Sequence, residues 1–210
     1  MLQLFHFDRA GIVRTTPFDI EQNPEIFVLS VALLAGHDIE AAGFDPTVCY
    51  DGEGVRHITV PGSEKDRFRV TGVLYSDHNC IIEGRGTICW DAIDKRSNRQ
   101  VLIKDAWRHA TTTCEADFLK KGMGAEGINQ LVVSHDFDPA LMSTFSYRLD
   151  LDNTRFKDCD VDFYHRLFSR IVVEKEGKSV ECFQSRLQLL QAFKDGIKGE
   201  CIQLPSSVFD

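Results

Sequence analysis

The sequence predicts an α+β fold, a mostly antiparallel sheet with a few packed helices, and three observations carry that prediction. Strand-like segments crowd the first two thirds of the chain, with one short helix between the strand runs. The regular strand–helix alternation that builds a doubly wound parallel sheet is missing. At 210 residues the chain can bury one good core and is too short for several enzyme domains.

Taken in order, Leu2-Gln3-Leu4-Phe5-His6-Phe7 alternates loosely and Ile12-Val13 follows across Asp8-Arg9-Ala10-Gly11, which reads as a hairpin. From Asn23-Pro24 to Leu34, a proline near the start and apolar residues at 26, 27, 28, 31, 33 and 34 predict a mostly buried helix, ended by Gly36. Between Ala41 and Lys65, Gly43, Pro46, Gly52, Gly54, Pro61 and Gly62 are turn chemistry, interrupted by one short strand at Arg56–Val60. Strands are then predicted at Arg67–Tyr75, Cys80–Glu83, Thr87–Ile93 and Val101–Lys104, with Asp91–Asn98 polar enough for a hairpin loop.

Thr111-Thr112-Thr113 is a suitable N-cap region for a helix over Ala116–Lys121, which Gly122 ends. Gln130–Ser134, Phe145–Leu149 and Leu167–Val173 read as strands. Between them, Asp150–Asp162 is an acidic stretch without EF-hand spacing or glycine, hence a solvated loop rather than a metal site. Apolar residues at 187, 189, 190, 192, 193 and 197 give Arg186–Ile197 the pattern of an amphipathic helix.

Composition narrows the function classes. Lys+Arg number 24 against 32 Asp+Glu, a net charge of −8. That balance argues against a nucleic-acid-gripping protein, which needs a basic footprint. The longest nearly apolar run, Ile26–Gly36, falls far short of the roughly 20 residues that span a bilayer, so no membrane partner is expected. The N-terminus lacks the pattern of an export signal. The seven cysteines include no C-x-x-C pair, which predicts free thiols in a reducing intracellular compartment, cytoplasm or nucleus. The seven histidines share no metal-ligand spacing and read as structural or surface residues.

The residues that carry chemistry fall in a meaningful order. Ile82-Glu83-Gly84-Arg85-Gly86-Thr87-Ile88-Cys89-Trp90 is a strand–turn–strand whose Gly84 and Gly86 let backbone N–H groups approach a phosphate, although such a G-x-G also marks an ordinary tight hairpin. Val101-Leu102-Ile103-Lys104 ends an apolar strand on a lysine whose direction its neighbours fix. In Glu115-Ala116-Asp117-Phe118-Leu119, the apolar pair at +3 and +4 puts Glu115 on the sheet-facing side of the helix, where it can meet the Lys104 ammonium or form a plain structural ion pair with it. Ser169-Arg170-Ile171-Val172-Val173, the polar Glu174-Lys175-Glu176-Gly177-Lys178 and a helix then follow as strand, hinge and helix.

Glycine turn, strand lysine, helix glutamate, further strands and hinge resemble, in that order, the N-lobe of a protein kinase. The resemblance is closest to the fungal-type protein kinase family. It is carried by Phe7–Val13, Pro17–Ile20, Pro24–Phe27 and Gly43–Thr47 upstream, by Gly84–Trp90 and Ile103–Arg108, and by Arg170–Val172, Phe183, Leu189-Leu190 and Ala192–Gly199. It implies a family-specific N-terminal extension over 1–66, a kinase-like N-lobe with hinge and first C-lobe helix over 67–199, and a divergent tail over 200–210. It further implies ATP as cofactor, with Gly84 and Gly86 over its phosphates, Lys104 on the α/β-phosphates and Glu115 holding Lys104.

The pattern also breaks. The third glycine of the loop is replaced by Cys89. The family's His-Arg-Asp catalytic loop and Asp-Phe-Gly metal motif follow the hinge, and this sequence ends at Asp210 without either. Asp136-Phe137-Asp138 and Arg148-Leu149-Asp150-Leu151-Asp152-Asn153 imitate them but precede the hinge. The expectation is therefore at most ATP binding, with no catalytic residue named, no Mg²⁺ held by this chain alone and no phosphoryl transfer by it alone. The alternative expectation is a non-catalytic, pseudokinase-like interaction module, binding a protein partner or itself through the surface that faces a C-lobe.

Overall fold

The computed structural model describes residues 1–9, 11–36, 44–77, 82–125, 127–137, 165–175 and 182–203. The expected strand Phe145–Leu149, the acidic stretch 150–162, hinge residues 176–178 and the start of the expected strand at Cys80 lie outside them.

Two antiparallel strands, β1 (Phe5–Asp8) and β2 (Gly11–Arg14), form the expected N-terminal hairpin, and α1 (Pro24–Leu34) follows. The main sheet contains β3 (Val48–Tyr50), β4 (Arg56–Val60), β5 (Ser63–Ser76), β6 (Ile88–Asp94), β7 (Gln100–His109), β8 (Leu131–Asp136) and β9 (Arg166–Glu174). Helix α2 (Glu115–Lys121) lies between β7 and β8, and α3 (Arg186–Gln203) follows β9. The sheet order is β3-β4-β5-β6-β7-β9-β8, and every neighbouring pair is antiparallel. The predicted α+β class therefore holds, with the kinase-like N-lobe pattern of a mostly antiparallel sheet and few helices.

The long sheet curls on itself. Although β4 stands four positions from β9 in the order, Arg170 on β9 donates to the Thr59 carbonyl of β4 at 3.0 Å. The curl encloses Ile58, Val60, Phe68, Ala92, Val101, Ile103 and Val172, all at most 2% exposed. Alternation along the strands gives β7 and β9 a second apolar face. There Ile171 and Val173 pack with Ala116 and Leu119 of α2. Strand β9 is paired on both edges by β7 and β8 and covered on both faces by the curled core and α2, so Phe168 to Val173 is buried without interruption.

At the centre of the curled sheet lies a buried ion cluster. Arg170 is 0% exposed. Its Nε and Nη2 donate to the two Asp105 oxygens at 2.7 and 2.9 Å. Nη2 also donates to Asp45 Oδ2 at 2.7 Å, and Nη1 to Thr47 Oγ1 at 2.5 Å. With the Thr59 bond, every guanidinium N–H has an acceptor. Burial works against the charge, but the Asp105 and Asp45 carboxylates outweigh it and hold the guanidinium above its ordinary range. Asp105 opposes Arg170 directly in the β7–β9 register, and Trp90 Nε1 donates to its second oxygen at 3.2 Å. Asp45 and Thr47 belong to the upstream segment, so this cluster fastens that segment to the sheet.

Several expectations need correction. Helix α1 forms where the proline and the apolar run place it, but it is not mostly buried. Ser30 is its buried residue, while Val28 and Leu29 are 62% exposed and Leu33 is 81% exposed. An apolar run fixes a helix locally, whereas its burial depends on what packs across it. The predicted hairpin loop at Asp91–Asn98 begins later, since β6 runs to Asp94, whose carboxylate takes the N–H groups of Arg96 and Ser97 and closes the turn. The α2 N-cap is Cys114 rather than a threonine, and no side chain caps it. Thr111 is instead bonded to the His109 ring. Strand β3 was not predicted, and α3 continues past Ile197 to Gln203.

Near the start of β4, His57 is 1% exposed and donates from Nε2 to Asp51 Oδ2 at 2.7 Å. Backbone N–H groups of Val55 and Glu53 donate to Asp51 Oδ1 at 2.8 and 3.0 Å. The His57 bond first, then the Val55 amide, hold the Asp51 carboxyl down from 3.8 to about 2. A depressed carboxyl stabilises the fold above its unfolded pKa, and that contribution vanishes as pH falls through the folded value. Denaturation followed by circular dichroism is therefore expected to show stability falling between pH 3.8 and about 2. Asp51→Asn should flatten that part of the acid limb, and an unchanged limb in the variant would refute the assignment.

Candidate functional site

The second face of the sheet carries the candidate site. Alternation along β7 puts Lys104, Ala106 and Arg108 on the side of α2, while Ile103 and Asp105 point into the curled core. Lys104 was expected at a strand end. It lies mid-strand, because β7 runs on to His109, paired with β9 along its length. Its ammonium meets Glu115 Oε2 at 2.5 Å. Glu115 is the first residue of α2, and Ala116 and Leu119 press that helix onto Ile171 and Val173. The expected lysine–glutamate pair thus forms between the third strand of the series β5-β6-β7 and the helix that follows it.

The pair is only partly covered, with side-chain exposures of 27% and 44%. Pairs so open to water contribute roughly 0–1 kcal/mol to folding. Its consequence is positional: it fixes an ammonium in a cleft of about 180 Å³ lined also by Arg85, Arg108, His109, Thr112, Thr113, Arg166 and Ser169. Cys89 stands beside Lys104 in the β6–β7 register. Burial pushes its thiol up, with Lys104 acting in the opposite sense.

The glycine turn between β5 and β6 borders the same cleft through Arg85, whose carbonyl accepts the Trp107 N–H at 2.8 Å. Gly84 and Gly86 have φ of +139° and +49°, conformations that favour glycine. The structure adds a second reason for Gly86. A Cβ there would strike the guanidinium of Arg9, which lies against the turn. The Gly84 N–H donates to the Arg9 carbonyl at 3.2 Å. The N-terminal hairpin therefore braces the glycine turn and brings a cation to it.

The sequence marks Arg108 only as part of the Ile103–Arg108 segment. Here it donates to Asp136 Oδ2 at 2.9 Å and to the Thr112 carbonyl at 3.0 Å. The Asp136 bond raises its pKa further, against burial. A signal for it was present: Arg108 follows Lys104 by four residues, so a strand extended to His109 puts both on one face. Among the described residues, no cluster of His, Cys, Asp and Glu is arranged to hold a metal ion, and no helix is long and apolar enough to cross a membrane.

Comparison with curated proteins gives no match. The family model for the fungal protein kinases matches residues 1–202 of the 210, taking in the hairpin, the glycine turn, Lys104, Glu115 and nearly all of α3. The match spans nearly the whole sequence, and the chain belongs to the fungal protein kinase family.

Proposed function

We propose that the cleft beneath the glycine turn binds ATP. Lys104 would hold the phosphates, Glu115 would fix the ammonium, and the Gly84–Gly86 turn would lie alongside. The observation that supports this reading is the 2.5 Å Lys104–Glu115 pair, formed between strand and helix in a place where it adds little stability. The donor set also fits a polyanion, since an ammonium and several guanidiniums line the cleft against one carboxylate. The 210 residues contain neither His-Arg-Asp nor Asp-Phe-Gly, so the proposal assigns nucleotide binding to them and not phosphoryl transfer. The free thiols of Cys49, Cys89, Cys114 and Cys182 support placing this activity inside the cell.

Thermal-shift titration with ATP, with and without Mg²⁺, tests the reading. The wild type is expected to gain melting temperature, by mass action. Lys104→Ala should weaken ATP by about tenfold or more, the loss expected for a charge-assisted hydrogen bond. No shift in the wild type, or equal shifts in both proteins, would sink the proposal.

A further inference from the structure

The cleft extends beyond the Lys104–Glu115 pair. Four residues along β7, at about 3.3 Å each, place Arg108 roughly 13 Å from Lys104. Around that far end stand Arg85 from the glycine turn, Arg166 from the start of β9, and Thr112 and Thr113 from the segment before α2. In a chain of net charge −8, the cleft lining gathers, among the described residues, Arg85, Lys104, Arg108 and Arg166 against the one carboxylate of Glu115.

Lys104 is answered by Glu115, and Arg108 is anchored by Asp136 and the Thr112 carbonyl. Arg166 donates from Nη1 to the Trp107 carbonyl at 3.4 Å. Anchored in this way, Arg108 still has an Nε–H that is buried and makes no hydrogen bond. A buried charged donor without an acceptor is costly. An oxygen of a bound anion would relieve it.

We propose that the Arg108 end of the cleft is a phosphoryl-binding site distinct from the Lys104 end, taking a phosphate dianion between Arg108, Arg85 and Arg166. Three arginines rather than lysines reach it from three separate elements. Guanidinium forks match phosphate oxygens, and a tetrahedral anion offers oxygens in as many directions, whereas a planar carboxylate serves one fork. The Arg108 end occupies only part of a cleft of about 180 Å³, room for a phosphate with a short chain attached. The phosphate can come from free phosphate or from a phosphorylated serine or threonine side chain.

The test uses the full chain, with isothermal titration of inorganic phosphate, of a short peptide carrying one phosphoserine, and of its unphosphorylated twin. Phosphate and phosphopeptide are expected to bind and the twin is not. Phosphopeptide binding tighter than phosphate identifies a phosphorylated chain as the source, and equal binding identifies free phosphate. Arg85→Ala should weaken both by about tenfold. Arg108→Lys keeps the charge and loses the Nε–H, and should do the same with the fold intact by circular dichroism. Lys104→Ala should weaken ATP and leave phosphate within about twofold. Absence of phosphate binding in the wild type, indifference of both arginine variants, or equal loss in Lys104→Ala would each overturn the proposal. Phosphate binding without ATP binding would sink the nucleotide reading and leave this one standing.

Discussion

Arg170→Ala is expected to lower folding stability by roughly 3–5 kcal/mol, the range found when one partner of a buried charge cluster is removed. The cost comes mainly from what remains. Asp105 and Asp45, 9% and 20% exposed in their side chains, would be left facing each other without the guanidinium between them. Thr47 Oγ1 and the Thr59 carbonyl would lose their donor as well. Urea denaturation with linear extrapolation measures the effect. A cost below about 1 kcal/mol would show that water replaces the guanidinium and that the cluster is not sealed. Removing charge from all three positions, as Asp45→Asn and Asp105→Asn with Arg170→Met, should recover part of the loss, since buried ion clusters need not be more stable than uncharged replacements.

Phe68→Ala is expected to cost a similar amount, roughly 3–5 kcal/mol, by leaving a cavity in a core that can collapse only partly. Phe68 is 1% exposed on β5 and packs with Ile58, Val60, Ala92 and Ile103 inside the curled sheet. Its strand neighbours are Ile58 on β4 and Asp94 on β6, so the cavity would open between the paired strands of the core. The same strand leads to the glycine turn. Phe68→Leu, which keeps most of the volume, should cost clearly less. Equal losses for the two variants in urea melts would mean that the aromatic shape, and not the filled volume, is what the site requires.

The sequence revealed what short-range physics decides. Short strand-like segments marked β4, β6 and β9, and Gly122 and the helix-forming run before it marked α2, because strand and helix preferences are written in neighbouring residues. Lys104 and Glu115 were legible for the same reason, being only eleven residues apart on adjoining elements. The ion cluster was not legible. Arg170 finds its acceptors 65 and 125 residues back, and no local pattern distinguishes an aspartate that will be buried from one that will be solvated. That is also why β7 was cut short at Lys104. Asp105 breaks the apolar run on paper, yet in the sheet it is a core residue with its own counterion. Arg9 against Gly86 escaped for a related reason, since the two are brought together by the docking of a separate hairpin.

The position of β9 has a consequence for how the chain is made. Among the described strands it is the last synthesised, yet it fills the gap between β7 and β8. Until its residues leave the ribosome, β7 presents an unpaired edge and Asp45 and Asp105 lack the Arg170 guanidinium. The first 165 residues therefore cannot complete this sheet by themselves, and closure waits for long-range contacts of the kind that slow folding. An open apolar edge over that interval invites pairing with other nascent chains. Chaperone demand and yield on expression should thus depend on how soon residues 166–174 are delivered, more than on the strength of any hairpin before them.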